Sequence, residues 1–279
     1  MKKFLREYYQ PLVLICLSFV FYWPILKDLV YDWYYDQNYS HGFLIPPLAV
    51  FLFYKASRKF VKPKSNPVLG SILIAAAMIL LVFGTAGAEY FTSRFSFVLL
   101  LLGIAVFSIG WGNCRTAWFS FFFLLFMIPI PNIIYTTLTI PMQLFASKIT
   151  LKLLHAASVP SALKGNVIYL PGYPLEVSEA CSGLRSLFSL LALSLLVGYL
   201  ILRRFWPVLF LTALTFPIAV AANIFRIFTT AVLAHLISPK IAEGFLHGLS
   251  GIVVFLAALA MILAAGGMIS WIVTRLRSS

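Results

Sequence analysis

Charge is what this chain has least of. Asp, Glu, Lys and Arg make up 10% of its 279 residues, and only 8 are acidic against 21 basic. Apolar residues make up 62%, and the mean hydropathy is +0.98. Soluble domains are about a quarter charged, so a soluble globular protein is excluded and a polytopic membrane protein is expected. No soluble domain of any size fits: the only long stretch that does not read as a span lies between Tyr135 and Ala180. The first apolar run has no small-residue cleavage site and reads as a retained span rather than a signal peptide. No internal repeat is visible, which argues against an inverted-repeat transporter. The net charge of +13 does not point to nucleic acid. The basic residues stand at the ends of apolar runs, where they set orientation.

The apolar runs predict an all-α polytopic membrane protein of about eight transmembrane helices, forming a single integral-membrane domain over residues 1–279. Lys2, Lys3 and Arg6 keep the N-terminus in the cytoplasm, and residues 11 to about 29 form the first span. Residues 27–39 carry Asp28, Asp32 and Asp36 among aromatics in an outer loop that ends in Tyr39-Ser-His41-Gly42. A short second span begins at residues 43–54 and leads into Lys55, Arg58, Lys59, Lys62 and Lys64, the strongest inside signal in the chain. Residues 68–87, 95–111 and 117 to about 135 form spans three to five, with an inner turn at Gly112-Asn113-Cys114-Arg115 and Pro129 and Pro131 ending the fifth. Residues 141–157 are apolar but punctuated by Gln143, Ser147, Lys148, Lys152 and His155, and read as a helix in the outer interface. Taken as a span instead, they would invert everything after them. Residues 159–165 read as a loop, and residues 166–177 as an outer hairpin turning at Pro171-Gly-Tyr-Pro174. Residues 184–202, 206–236 with a bend at Pro217, and 248–273 are spans six to eight. Arg275 and Arg277 then close the chain on the inside.

Cysteine is scarce too: Cys16, Cys114 and Cys181 only. Cys181 alone falls on the oxidising side, without a partner for a disulfide. Ser178 reads as an N-cap that places Cys181 in the first turn of the next helix. Unpaired N–H groups and the helix dipole favour a thiolate there, and Arg185 one turn on adds positive charge. The plain alternative is a small, packable cysteine at a helix start.

The expected topology brings other groups to the same depth. Asn223 and Arg226 share a face in the outer half of span seven, and His247 stands at the outer start of span eight. Arg226 can simply snorkel to the headgroups, but a charge deep in a bilayer costs roughly 3 kcal/mol on insertion scales and usually marks function. His247 lies in Gly244-Phe-Leu-His247-Gly248, which can be only a helix-packing face. Read together, the three suggest covalent catalysis. Cys181 attacks a carbonyl, Arg226 holds the oxyanion or the substrate, and His247 acts as general base or acid. Glu179, Arg185, Asn223 and His41 are candidates for substrate contact or for supporting the three. No second cysteine and no carboxylate–histidine spacing joins Cys181, so neither metal nor cofactor is expected.

At these residues the chain resembles the exosortase/archaeosortase family of membrane cysteine transpeptidases. The motifs, in order, are Tyr39-Ser-His41-Gly42, Ile128-Pro-Ile-Pro131, Asn166 with Leu170-Pro-Gly172, Glu179-Ala-Cys181-Ser-Gly-Leu-Arg185-Ser, Pro217 with Asn223-Ile-Phe-Arg226-Ile, and His247 four residues before Gly251. The resemblance implies a sorting enzyme for exported proteins that end in a short motif such as Pro-Glu-Pro, a transmembrane helix and a basic cluster. It implies cleavage near the motif through a thioester and transfer to an envelope acceptor. The family's nucleophile, arginine and third residue fall on Cys181, Arg226 and His247. Histidine at the third position is similar to the bacterial branch, which implies a Gram-negative inner membrane and a site facing the periplasm. The partners implied are the substrate's sorting-signal helix and membrane lipids. Some members carry a further C-terminal domain, which this chain does not show.

Two other readings remain open on the sequence. A transporter or assembly factor for exopolysaccharide would use the outer polar cluster for binding, with Cys181 incidental. An intramembrane hydrolase would use water in place of an acceptor.

Overall fold

A computed structural model describes residues 13–61, 64–177, 184–202, 204–238 and 244–278, with the side chains of 184–185, 244–248 and 276–278 outside that description. The helices are α1 (Val13–Phe21), α2 (Trp23–Tyr35), α3 (Ile45–Ser57), α4 (Pro67–Ala86), α5 (Tyr90–Thr116), α6 (Trp118–Leu124) and α7 (Asn132–Ala156). Three strands follow, β1 (Ala162–Lys164), β2 (Val167–Leu170) and β3 (Tyr173–Glu176), and then α8 (Leu184–Ile201), α9 (Phe205–Leu236) and α10 (Gly244–Ser278). The packing gathers into two compact units, Met1–Pro131 and Asn132–Ser279.

Among the described residues, four helices are long and apolar enough to cross a membrane: Pro67–Ala86, Tyr90–Thr116, Phe205–Leu236 and Leu249–Arg275. The number rises to six if Val13–Phe21 with Trp23–Tyr35, and Trp118–Met127 with Asn132–Ala156, each count as one broken span. The membrane class is thus clear, while the expected eight is not reached by length alone. Helix α3 has 13 residues, short of the roughly 20 a straight span needs, and α8 has 18 over Leu184–Ile201. The outward sides of the long helices are apolar, as at Ile72, Ile79, Val82 and Phe83 of α4. Such a surface is stable against lipid and not against water.

In the first unit the expected straight first span is broken. Helices α1 and α2 meet at 68° around Tyr22, because Pro24 in the first turn of α2 cannot donate to the preceding ladder. Tyr22 is fully buried at the bend; its hydroxyl lies 3.0 Å from Ser96 Oγ and its ring 5.2 Å from that of Phe97. The helix then continues to Tyr35, so Asp28 and Asp32 sit on α2 and not in a loop.

Helices α4 and α5 form a hairpin closed by small residues. A Cβ on Gly70 would come within 2.6 Å of the Phe107 backbone, and one on Gly84 within 2.5 Å of Ser93 Oγ. Side-chain absence at these crossings lets the two backbones approach. The inner turn expected at residues 112–115 is instead helical. Helix α5 breaks at Gly110, whose φ of +80° brings it under the Lys64 carbonyl, and then runs on to Thr116. Asn113 binds the preceding loop there, donating to Val61 O and accepting from Val61 N, each at 3.1 Å.

In the second unit, α7 starts at Asn132 and passes through Pro141, earlier than the expected start at residue 141. The hairpin expected at 166–177 is present, but with a two-residue turn, Pro171-Gly172, so that Tyr173 and Pro174 belong to β3. Gly172 has φ +77°, which a Pro-Gly turn supplies without strain. The expected loop at 159–165 contains a third strand, β1, antiparallel to β2. Ile168, Leu170, Leu175 and Val177 are buried together against Ala146 and Leu154 of α7 and Ile227, Ala231 and Ala234 of α9. A second cluster joins Leu187 and Leu190 of α8, Leu211, Ile218 and Ala219 of α9, and Ala258 and Ile262 of α10.

Candidate active site

Helix α9 carries two of the three site candidates that are fully described, the third being His41. Asn223 is 4% exposed, and Arg226, one turn on, is half-buried. Arg226 reaches across to α10: a Cβ built on Gly251 would lie 3.3 Å from its Nη1. Gly251 stands one turn after position 247 on the same face of α10, and residue 247 lies within that helix. The structure therefore brings the guanidinium of Arg226 to the stretch of α10 that carries His247. The contact follows from packing on either side of it. Ile227 is held by the sheet, and Ile218 and Ala219 by Ala258 and Ile262. A guanidinium offers five donors in a fixed fork, suited to a carboxylate or to an oxygen that gains charge in a reaction.

Residues 178–183, with Cys181, Glu179 and the expected N-cap Ser178, lie outside the described residues, as do the side chains of Arg185 and His247. The chain on both sides of that segment is well anchored. Upstream, Val177 is 1% exposed and packs in the same cluster as Ile227, the neighbour of Arg226. Asn166 clasps it: Val177 N–H donates to Asn166 O at 2.9 Å, and Asn166 Nδ2 donates to Val177 O at 3.1 Å. Downstream, α8 begins at Leu184 with Arg185 in its first turn, and Leu187 is buried with Ile218 and Ala258. Four residues of extended chain span at most about 14 Å, which bounds the distance of Cys181 from Val177.

His41 belongs to the first unit, in the 3₁₀ turn Ser40–Leu44. Its Nδ1 is buried with no hydrogen-bond partner among the described residues. Burial pushes the imidazole below its usual 6.5 and favours the neutral form, while the backbone carbonyls of Phe126 and Asn38 pull the other way. Gly42 beside it packs on Trp33, where a Cβ would overlap the indole, and Trp33 Nε1 donates to Met127 O at 2.8 Å. These contacts place the Tyr39-Ser-His41-Gly42 motif as a wedge that joins α2 to the turn after α6. The same unit holds an apolar cavity of about 810 Å³, lined among others by Trp23, Trp33, Phe53, Phe97 and Phe121, with Lys27 its one charged wall residue. None of the described site candidates lines it.

Three relationships escape the sequence reading. Asp32 and Arg94 form an ion pair at 2.7 Å, with Arg94 4% exposed. They are far apart in sequence, and one of three aspartates among interfacial aromatics carries no sign of its partner. Gly251 enters the motif only as a spacing, and its contact with Arg226 depends on how α9 and α10 are rotated. The clasp on Val177 follows from the hairpin register, which a two-residue Pro-Gly turn would have signalled.

No curated protein and no solved structure matches the chain. The family model described as transmembrane exosortase matches residues 33–264, more than four-fifths of the length and parts of both units. The match takes in every motif from the Tyr39 stretch to Gly251. On that extent, the chain belongs to the transmembrane exosortase family.

Proposed function

We propose that this protein is a membrane-embedded cysteine protease and transpeptidase that removes C-terminal sorting signals from exported proteins. The observation that carries the reading is the approach of Arg226 Nη1 to Gly251, one turn from position 247. The anchoring of Val177 beside Ile227, four residues before Cys181, supports it. The Cys181 thiolate attacks the carbonyl carbon of the scissile bond, and Arg226 donates hydrogen bonds to the oxygen as it gains charge. The C–N bond breaks, the leaving amine takes a proton from His247, and a thioester remains. An acceptor nucleophile gives its proton back to His247, forms the new bond to the acyl carbon, and releases the Cys181 thiolate as the C–S bond breaks. Glu179, Arg185 and Asn223 contact substrate or support these groups.

The substrate's sorting-signal helix lies in the lipid beside the enzyme. The chain crosses a Gram-negative inner membrane eight times, α3 being a short crossing. Both termini are cytoplasmic and the site opens to the periplasm, in keeping with the basic residues at 55–64 and at the C-terminus.

The test is co-expression with tagged proteins that end in an apolar helix and a basic cluster. Cys181→Ser should abolish shortening of the tagged protein while the variant still inserts at normal levels, and wild type should yield a trapped thioester to Cys181. Undiminished shortening by Cys181→Ser would point to a transporter or assembly factor. Mass spectrometry of the new C-terminus separates transfer from hydrolysis.

A further inference from the structure

Gly251 differs from the other described glycines of α10 in what it faces. Among the described residues, a Cβ on Gly267 would meet nothing within 4 Å, and one on Gly266 would meet only the side chains of Leu211 and Val197, at 3.4 and 3.6 Å. At Gly251 the only atom in range among the described residues is the charged end of Arg226, at 3.3 Å, closer than ordinary contact. Seven and eleven residues further along the same face, Ala258 and Ile262 are 1% and 0% exposed in the cluster shared with Leu211 and Ile218 of α9. That packing sets the separation of α9 and α10. A methyl group at 251 cannot be absorbed by moving the helix, because the buried layer below resists it. The guanidinium at the end of a flexible side chain is what gives way.

We propose that Gly251 is a positioning residue: its missing side chain is the seat that fixes the depth and tilt of the Arg226 guanidinium one turn from His247. The inference rests on the reading of Arg226 as the group that receives the developing oxyanion. Donors to such an oxygen must stand at about 2.7–3.1 Å from it, so a displacement too small to disturb folding is large enough to weaken catalysis. Gly251→Ala also raises helix propensity, so accumulation should not fall.

The experiment uses the full chain in lipid nanodiscs and a tagged reporter that wild type processes. Gly251→Ala should lower kcat by about three- to tenfold and leave KM within about twofold, on the scale by which ångström misplacements cost rate. Gly267→Ala, the same change where there is open space, should match wild type. In an Arg226→Lys background, which has no Nη1, Gly251→Ala should add less than about a twofold loss. An equal loss in both backgrounds, a Gly251→Ala enzyme as active as Gly267→Ala, or poor accumulation of Gly251→Ala alone would each overturn the proposal. Those results, obtained while Cys181→Ala remains inert, leave the enzymatic reading intact. A Cys181→Ala protein that still processes the reporter would instead remove the reading beneath it.

Discussion

Asn166 holds Val177 from both sides of its peptide, through the 2.9 Å bond from Val177 N–H and the 3.1 Å bond to Val177 O. The hold comes at the last residue before the segment that carries Cys181, and on a side chain buried with Ile227. Asn166→Ala removes the side-chain donor and leaves a half-buried carbonyl unpaired, which should lower stability by about 1 kcal/mol. Asn166→Asp removes the same donor and sets a carboxylate against the carbonyl. If the clasp aims the cysteine segment, both variants should lose processing rate by more than they lose protein, measured as turnover against thermal unfolding in detergent. Parallel losses would make Asn166 a purely structural residue.

The Asp32–Arg94 pair should behave as a stability element of the first unit. Arg94 is 4% exposed and its Nε has no partner among the described residues, so Asp32→Asn leaves a buried charge without its counterion. Breaking fully buried pairs costs about 3–5 kcal/mol. The Asp32 side chain is 36% exposed, so solvent screening should reduce that to about 1–3 kcal/mol. The double variant Asp32→Asn with Arg94→Met, which removes the charge altogether, should recover most of the loss in melting temperature.

Gly42→Ala tests the wedge between α2 and the turn after α6. The added methyl overlaps the Trp33 indole, which is 7% exposed and tied to Met127 O. Unlike the guanidinium at Gly251, a buried ring has nowhere to swing. The expected result is destabilisation by about 1–3 kcal/mol, the usual range for overpacking, with a changed tryptophan fluorescence. Trp33→Phe should lose about 1 kcal/mol through the missing hydrogen bond.

His41 should make stability depend on pH in mildly acidic buffer. Burial, opposed by the Phe126 and Asn38 carbonyls, leaves its folded-state value below 6.5. The unfolded chain therefore binds the proton more readily, and stability rises with pH in that window. The contribution is fully present above pH 6.5 and is lost as pH falls below it. Melting temperatures of wild type and His41→Gln should run parallel above that value, and only wild type should show the extra drop beneath it. A drop of equal size in the variant would assign the effect to another group.

Much of the architecture was legible because the property that reveals a span is a local average. The apolar runs that became α4, α9 and α10 fall within a few residues of where composition places them, and the start of α8 at Leu184 agrees with the expected one. Where single residues override the average, the reading failed. Pro24 breaks the first run, Gly110 carries α5 past its expected end, and Pro171-Gly172 shortens the hairpin turn and moves Tyr173 into a strand. Of the site, Arg226 and His247 could be assigned to their helices from the sequence, whereas the contact that relates those helices could not.

By itself, then, the sequence determined that this is a helical membrane protein, roughly which segments are apolar enough to cross, and through its ordered motifs which family it belongs to. Tertiary structure alone decided that Arg226 meets Gly251, that Arg94 pairs with Asp32, and that Val177 lies beside Ile227. The physical reason is that hydropathy along a run is unchanged by rotating a helix about its axis. Which face meets which neighbour is fixed only when small residues, buried side chains and charges from separate elements pack against one another.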